Sequence, residues 1–80
     1  MPESQPDPVA AILDAAQRCY LAQGISATGM QDVADSAGVA RSTLYRYFPG
    51  RDDLLVATIK REMEQLNRRI RKQLAKYPDP

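Results

Sequence analysis

The segment GVARSTLYRYFPGRDDL, Gly38 to Leu54, crowds Arg41, Ser42, Thr43, Tyr45, Arg46 and Tyr47 into a helix barely two turns long, just before a Pro-Gly break. Such side chains do little for packing and much for recognition. A guanidinium can bond a guanine edge through two N–H groups, hydroxyls bond phosphates or bases, and aromatic rings touch thymine methyls and backbone sugars. An ordinary surface helix carries an assortment of Lys, Glu and Ala instead. Covalent chemistry is not expected from these residues. The chain has no histidine, Ser42 and Tyr45 have no plausible base beside them, and Gly50-Arg51 lacks the separated glycines and Lys-Ser/Thr of a phosphate-cradling loop.

The whole chain bounds what this segment can serve. Its 80 residues make one small domain, near the lower size limit for folding without metals or disulfides, and leave no room for a catalytic domain. Cys19 is the one cysteine, so neither a disulfide framework nor a Cys/His metal site can be built. No metal and no cofactor is expected, and Cys19 reads as a small core residue. The longest apolar run, Val9 to Leu13, is far short of a membrane span, and no export signal precedes it. A reducing, cytoplasmic setting without membrane contact fits best.

Net charge is +1, but it is divided unevenly. Residues 1–40 hold Glu3, Asp7, Asp14, Asp32 and Asp35 against Arg18 alone, a net −4; residues 41–80 hold ten Lys or Arg against five acids, a net +5. The basic half begins with the polar-aromatic segment. An anionic partner for that half is one reading and a solvated basic helix the other, and charge alone does not separate them.

The elements that must position the segment follow from punctuation and periodicity. Residues 1–8, with three prolines, read as a disordered leader. Helix 1 is expected over 9–23, with Ile12, Leu13, Ala16, Cys19 and Tyr20 on one face and Gly24 at its C-terminus. Thr28 is the expected cap of a second helix whose buried stripe is Met30, Val33, Ala34 and Ala37 and whose end is Gly38. Ala34, Gly38, Val39 and Leu44 then have the spacing of a tight helix-turn-helix, with helix 3 over 41–47 and Leu44 and Phe48 facing inward. Asp52 and Asp53 complement the positive N-terminal end of a long helix 4 over 51–77, with Leu55, Ile59, Met63, Leu66, Ile70, Leu74 and Tyr77 as its apolar stripe. The expected fold is all-α: a three-helix helix-turn-helix head over 9–50 followed by a long fourth helix.

The stretch TGMQDVADSAGVARSTLYRYFPGRDDLL resembles the DNA-binding motif of the TetR family of bacterial transcriptional regulators. In that family the recognition helix is typically followed by a Tyr-x-Tyr/His-Phe run, a short turn, a basic residue and an acidic-Leu pair. The match runs from about Ile12 to Ile59. It implies sequence-specific binding of double-stranded DNA in transcription regulation, with a repressor expected. It places Arg41, Ser42, Thr43, Tyr45, Arg46 and Tyr47 on the DNA-facing side, brings Thr28 and Gln31 to the duplex from the start of helix 2, and gives Arg51 a phosphate. It also implies a homodimer formed through a domain absent here and a small-molecule effector bound outside this chain. Three positions depart from the family pattern: Ala40 where a Ser often caps helix 3, Gly29 where a Thr or Ser is common, and a leader with Glu3 and Asp7 in place of basic residues. A minor-groove arm is therefore not expected.

Blander readings stand beside these. Tyr45 and Tyr47 could pack instead of touching DNA, with contact favoured for Tyr45, and Arg51 could pair locally with Asp52 or Asp53. Beside the DNA reader stand a helical protein-interaction module using the basic helix 4, and a small DNA-processing enzyme with a Tyr or Ser nucleophile. Salt-dependent duplex binding separates the first two, and a covalent adduct would mark the third.

Overall fold

In the computed structural model, which describes residues 7–75, Asp7 and Pro8 begin the first helix instead of ending the leader. The Val9 N–H donates to Asp7 Oδ1 at 3.0 Å, and Pro8 fills the first helical position, where its missing N–H costs nothing. An Asp-Pro pair in a proline-rich stretch is thus a helix start. Residues 1–6 of the expected leader lie outside the described residues, as do Tyr77 and the expected end of helix 4.

The order is α1 (Pro8–Gln23), α2 (Met30–Ala37), α3 (Arg41–Tyr47) and α4 (Arg51–Ala75), with no strand among the described residues. Gly24 stops α1 at φ 92°, its N–H donating to the Tyr20 carbonyl at 2.9 Å. The all-α architecture is the expected one. α1 packs on both α2 and α4, and α3 packs on α2.

The cap of α2 differs from the expectation. Gly29, not Thr28, is the N-cap, and its N–H donates to the Asp32 carboxylate at 2.8 Å. Thr28 is 3% exposed, and its hydroxyl donates inward, to the Gly24 carbonyl at 2.7 Å and within 3.3 Å of the Cys19 carbonyl. The hydroxyl therefore bonds carbonyls at the end of α1 instead of capping α2.

The core draws on every helix. Ile12, Leu13, Ala15 and Ala16 from α1 meet Met30, Val33 and Ala34 from α2, Leu44 of α3 with Phe48 just beyond it, and Leu54 of α4. Fully buried alanines at 15, 16 and 34 leave little side chain between the elements. α4 docks through Leu54 and Thr58, with Leu55 only half-buried and Ile59 exposed. The docking side is thus offset by about one residue from the stripe that starts at Leu55, whose first members, Leu55 and Ile59, were expected to pack on the head. Of the long stripe read from sequence, Met63, Leu66, Ile70 and Leu74 run past the head uncovered, as its length implies, and Ile59 joins them; all five are 46–65% exposed. Polar groups complete the docking, since Arg61 bridges Asp14 of α1 at 2.8 Å and donates to Gln17 Oε1 at 3.4 Å.

The two faces of α4 make a direct comparison. Leu54→Ala should cost about 2–5 kcal/mol, whereas Ile59→Ala should stay within about 0.5 kcal/mol of the parent. Urea melts followed by helix circular dichroism would measure both, and equal costs would place the docking face elsewhere.

Candidate nucleic-acid interface

The turn before α3 decides where its side chains point. Gly38 adopts φ 71° and ψ 30°, the left-handed conformation, and its N–H donates to the Asp35 carbonyl at 3.3 Å. The Val39 N–H reaches back to Ala34 at 3.1 Å, so the last carbonyls of α2 are satisfied while the chain reverses. Val39 packs against the core at the point where the chain enters α3. Arg18 holds the outside of the same corner, donating to the Ser36 carbonyl and hydroxyl, both at 3.0 Å. Sequence reading missed that role, though its signal was present: Arg18 is the lone cation of an acidic half.

α3 has no side-chain cap, because Ala40 offers none, and no acid in its first turn. Its anchoring is apolar. Leu44 is fully buried and Phe48 is 8% exposed, and the Phe48 N–H closes the helix on the Leu44 carbonyl at 2.9 Å. With those two inward, Arg41, Ser42, Arg46 and Tyr47 are exposed, and Thr43 and Tyr45 are half-buried on the flanks. Arg41 lies over the Tyr45 ring, its Cζ 5.5 Å from the centroid. Arg46 sits in the last turn, where a cation favours the negative helix end. The fold therefore brings six of the nine expected site residues onto one continuous face.

The other three are placed differently. Thr28 is buried and its hydroxyl occupied, so its expected approach to DNA is corrected: the side chain is part of the α1–α2 junction. Gln31 is exposed at the start of α2 and donates to Asp35 Oδ1 at 2.8 Å. Arg51 is exposed and pairs with neither Asp52 nor Asp53; its Nη2 donates to the Ile25 carbonyl at 3.1 Å, tying the start of α4 to the α1–α2 loop. Nearby, burial pushes the Tyr20 hydroxyl above its ordinary pKa of 10.0, the Arg51 charge pulls in the opposite direction, and Cys19 adds a smaller upward push. Among the described residues no group of His, Cys, Asp and Glu could hold a metal ion, and no helix is long and apolar enough to cross a membrane.

A short recognition-type helix, set by a left-handed Gly turn on a supporting helix and presenting cations, hydroxyls and rings, defines a helix-turn-helix DNA-binding module. A sequence profile described as bacterial regulatory proteins, tetR family, matches residues 12–58. The chain belongs to the TetR family of bacterial transcriptional regulators, and this membership favours DNA binding over docking of a protein on α4. It is 41% identical over 69 residues to an uncharacterised HTH-type transcriptional regulator of Mycobacterium tuberculosis, a match covering 86% of this chain and 34% of that protein. It is 45% identical over 58 residues to the HTH-type transcriptional repressor KstR of Rhodococcus jostii, covering 72% of this chain and 27% of that one. Among solved structures, the fatty acid degradation regulator FadR from Bacillus halodurans superposes with a TM-score of 0.81 at 27% identity, over 96% of this chain and 40% of that one. The chain thus spans about a third of the length of the curated relatives it matches. These relatives are regulators and not enzymes.

The Gly38 corner is open to a direct test. An added Cβ would meet nothing within 4 Å, so Gly38→Ala should pay only for the left-handed backbone, about 1–2 kcal/mol, and Gly38→Asn should cost less. Denaturant titration of the three proteins would show this order. An Ala variant as stable as the parent would mean that the corner tolerates another backbone.

Proposed function

We propose that this chain is the operator-reading part of a dimeric, effector-responsive repressor that places α3 in the major groove of duplex DNA. The observation that carries it is the division of α3, with Leu44 and Phe48 holding the helix from within while Arg41, Ser42, Arg46 and Tyr47 stand free on the outside. Arg41, at the N-terminal end, reads a base edge. Ser42 and Thr43 bond phosphates or bases, Tyr47 meets sugars and methyls, and Arg46 neutralises phosphate. Gln31 and the outer edge of Arg51 flank the groove. Thr28 acts only by fixing the loop that carries α2.

The 45% identity to a protein named a repressor supports repression over the activator function named for FasR of Mycolicibacterium smegmatis, which is 32% identical. The size of the reading head supports a dimer: α3 is 7 residues long, enough for one half-site, and two heads about one DNA turn apart would read a full operator. The exposed stripe of α4, from Ile59 to Leu74, is where a further domain would cover apolar surface and where an effector could shift the spacing of two heads. The setting is the bacterial cytoplasm, where DNA is reached.

Selection from a randomised duplex library, followed by titration of the winning and a scrambled duplex, tests the division of roles. Arg41→Ala should lose about 1–3 kcal/mol on the selected duplex and relax one base preference. Arg46→Ala should weaken both duplexes alike and lower the salt slope by about one. Identical loss of preference in both variants would reject these assignments.

A further inference from the structure

We propose that Tyr45 determines base specificity by positioning Arg41, its ring acting as a platform for the guanidinium that reads the duplex. The inference deepens the DNA-reading assignment and rests on it. Arg41 and Tyr45 stand four residues apart on α3, so their side chains are neighbours on one face. The Arg41 Cζ lies 5.5 Å from the centroid of the Tyr45 ring, within the range of cation–π attraction.

The two members of the pair are held very differently. Tyr45 is half-buried and packs against the hydrophobic core, so its ring orientation is set by the fold. Arg41 is exposed, and among the described residues no carboxylate, carbonyl or hydroxyl takes a hydrogen bond from its guanidinium. With Ala40 before it and no acid in the first turn, the ring is the group available to restrict a long side chain that otherwise samples many rotamers.

A guanidinium held over a ring suits this use. A guanidinium that presents its flat face to a ring keeps its N–H groups pointing outward in their own plane, and those are the donors that pair with O6 and N7 of a guanine. A carboxylate partner would hold Arg41 as firmly but would occupy the same donors. A tyrosine platform orders the arginine and leaves its reading edge free, so the ordering is in place before DNA arrives. Tyr45 is thus a positioning residue, and its effect on specificity passes through Arg41.

Two readouts test it on the 80-residue chain. In the absence of DNA, the Arg41 side-chain methylene protons should show upfield ring-current shifts by NMR, retained in Tyr45→Phe and lost in Tyr45→Leu. With the library-selected and scrambled duplexes, Tyr45→Leu should lose roughly three- to tenfold of discrimination at the same base position that Arg41→Ala relaxes. Tyr45→Phe should keep it, and the Arg41→Ala/Tyr45→Leu double variant should lose no more than Arg41→Ala alone. Circular dichroism identifies a variant that has unfolded, and Tyr45→Met then supplies the ring-free comparison. Additive losses, or a different base position affected by Tyr45→Leu, would overturn the proposal by showing that Tyr45 acts on DNA directly. Absent ring-current shifts would overturn the stack itself. A parent chain that selects no sequence from the library would overturn the DNA-reading assignment and this proposal together, and the NMR arm would still report whether the stack exists.

Discussion

The burial of Leu44 and Phe48 is the constraint on which the rest of this structure depends. A helix of 7 residues is far too short to persist in water by itself, and α3 has neither a capping side chain nor an acid in its first turn to help it. What holds it is a fully buried leucine and a nearly buried phenylalanine in a core shared with α1, α2 and α4. Because both anchors lie on one side, the opposite side is released from any packing duty. Its residues can be chosen for what they touch outside the molecule, which is why so unusual a set of cations, hydroxyls and rings can sit on so short a helix.

The remaining elements can be understood as fixing that pair of anchors in space. Gly38 turns the chain with a left-handed residue so that Val39 and Leu44 re-enter the core. Arg18 holds the last turn of α2 from outside through Ser36. Thr28 settles the carbonyls at the end of α1, and Arg51 and Arg61 tie α4 to the α1–α2 loop and to α1. α4 is thus attached to the head by its first turns and one ion pair, while the outer part of the helix shows an apolar stripe to solvent. Regulation proposed through α4 would act on these few attachments, with the reading helix displaced as a unit.

Much of this was legible in the sequence, and the failures have physical causes. The bounds of α3, the Gly38 turn and the inward direction of Leu44 and Phe48 follow from local rules, because periodicity and a left-handed glycine act within a few residues. The roles of Thr28 and Arg51 do not. A threonine before a helix has two uses for its hydroxyl, capping forward or bonding backward, and the choice here is made by where the α1–α2 loop lies. Leu54 and Leu55 are adjacent, and the longer apolar series starts from Leu55, so periodicity selects the outer stripe. The docking face instead combines Leu54 with Thr58 and Arg61, whose polarity hides it from a hydrophobic pattern. Asp7 and Pro8 were obscured by the prolines around them. The outward face of α3 was readable from residue types, yet the placing of the Arg41 guanidinium over the Tyr45 ring needed coordinates.

In the proposed function it is the outward face of α3, and not the basic outer part of α4 with Arg68, Arg69, Arg71 and Lys72, that meets DNA. Amide chemical shifts of the labelled chain, followed while a library-selected duplex is added, test it most directly. Shifts should concentrate at Arg41 to Tyr47 and at the start of α2, with residues 68–72 little changed. Shifts concentrated at residues 68–72 with α3 silent would contradict it.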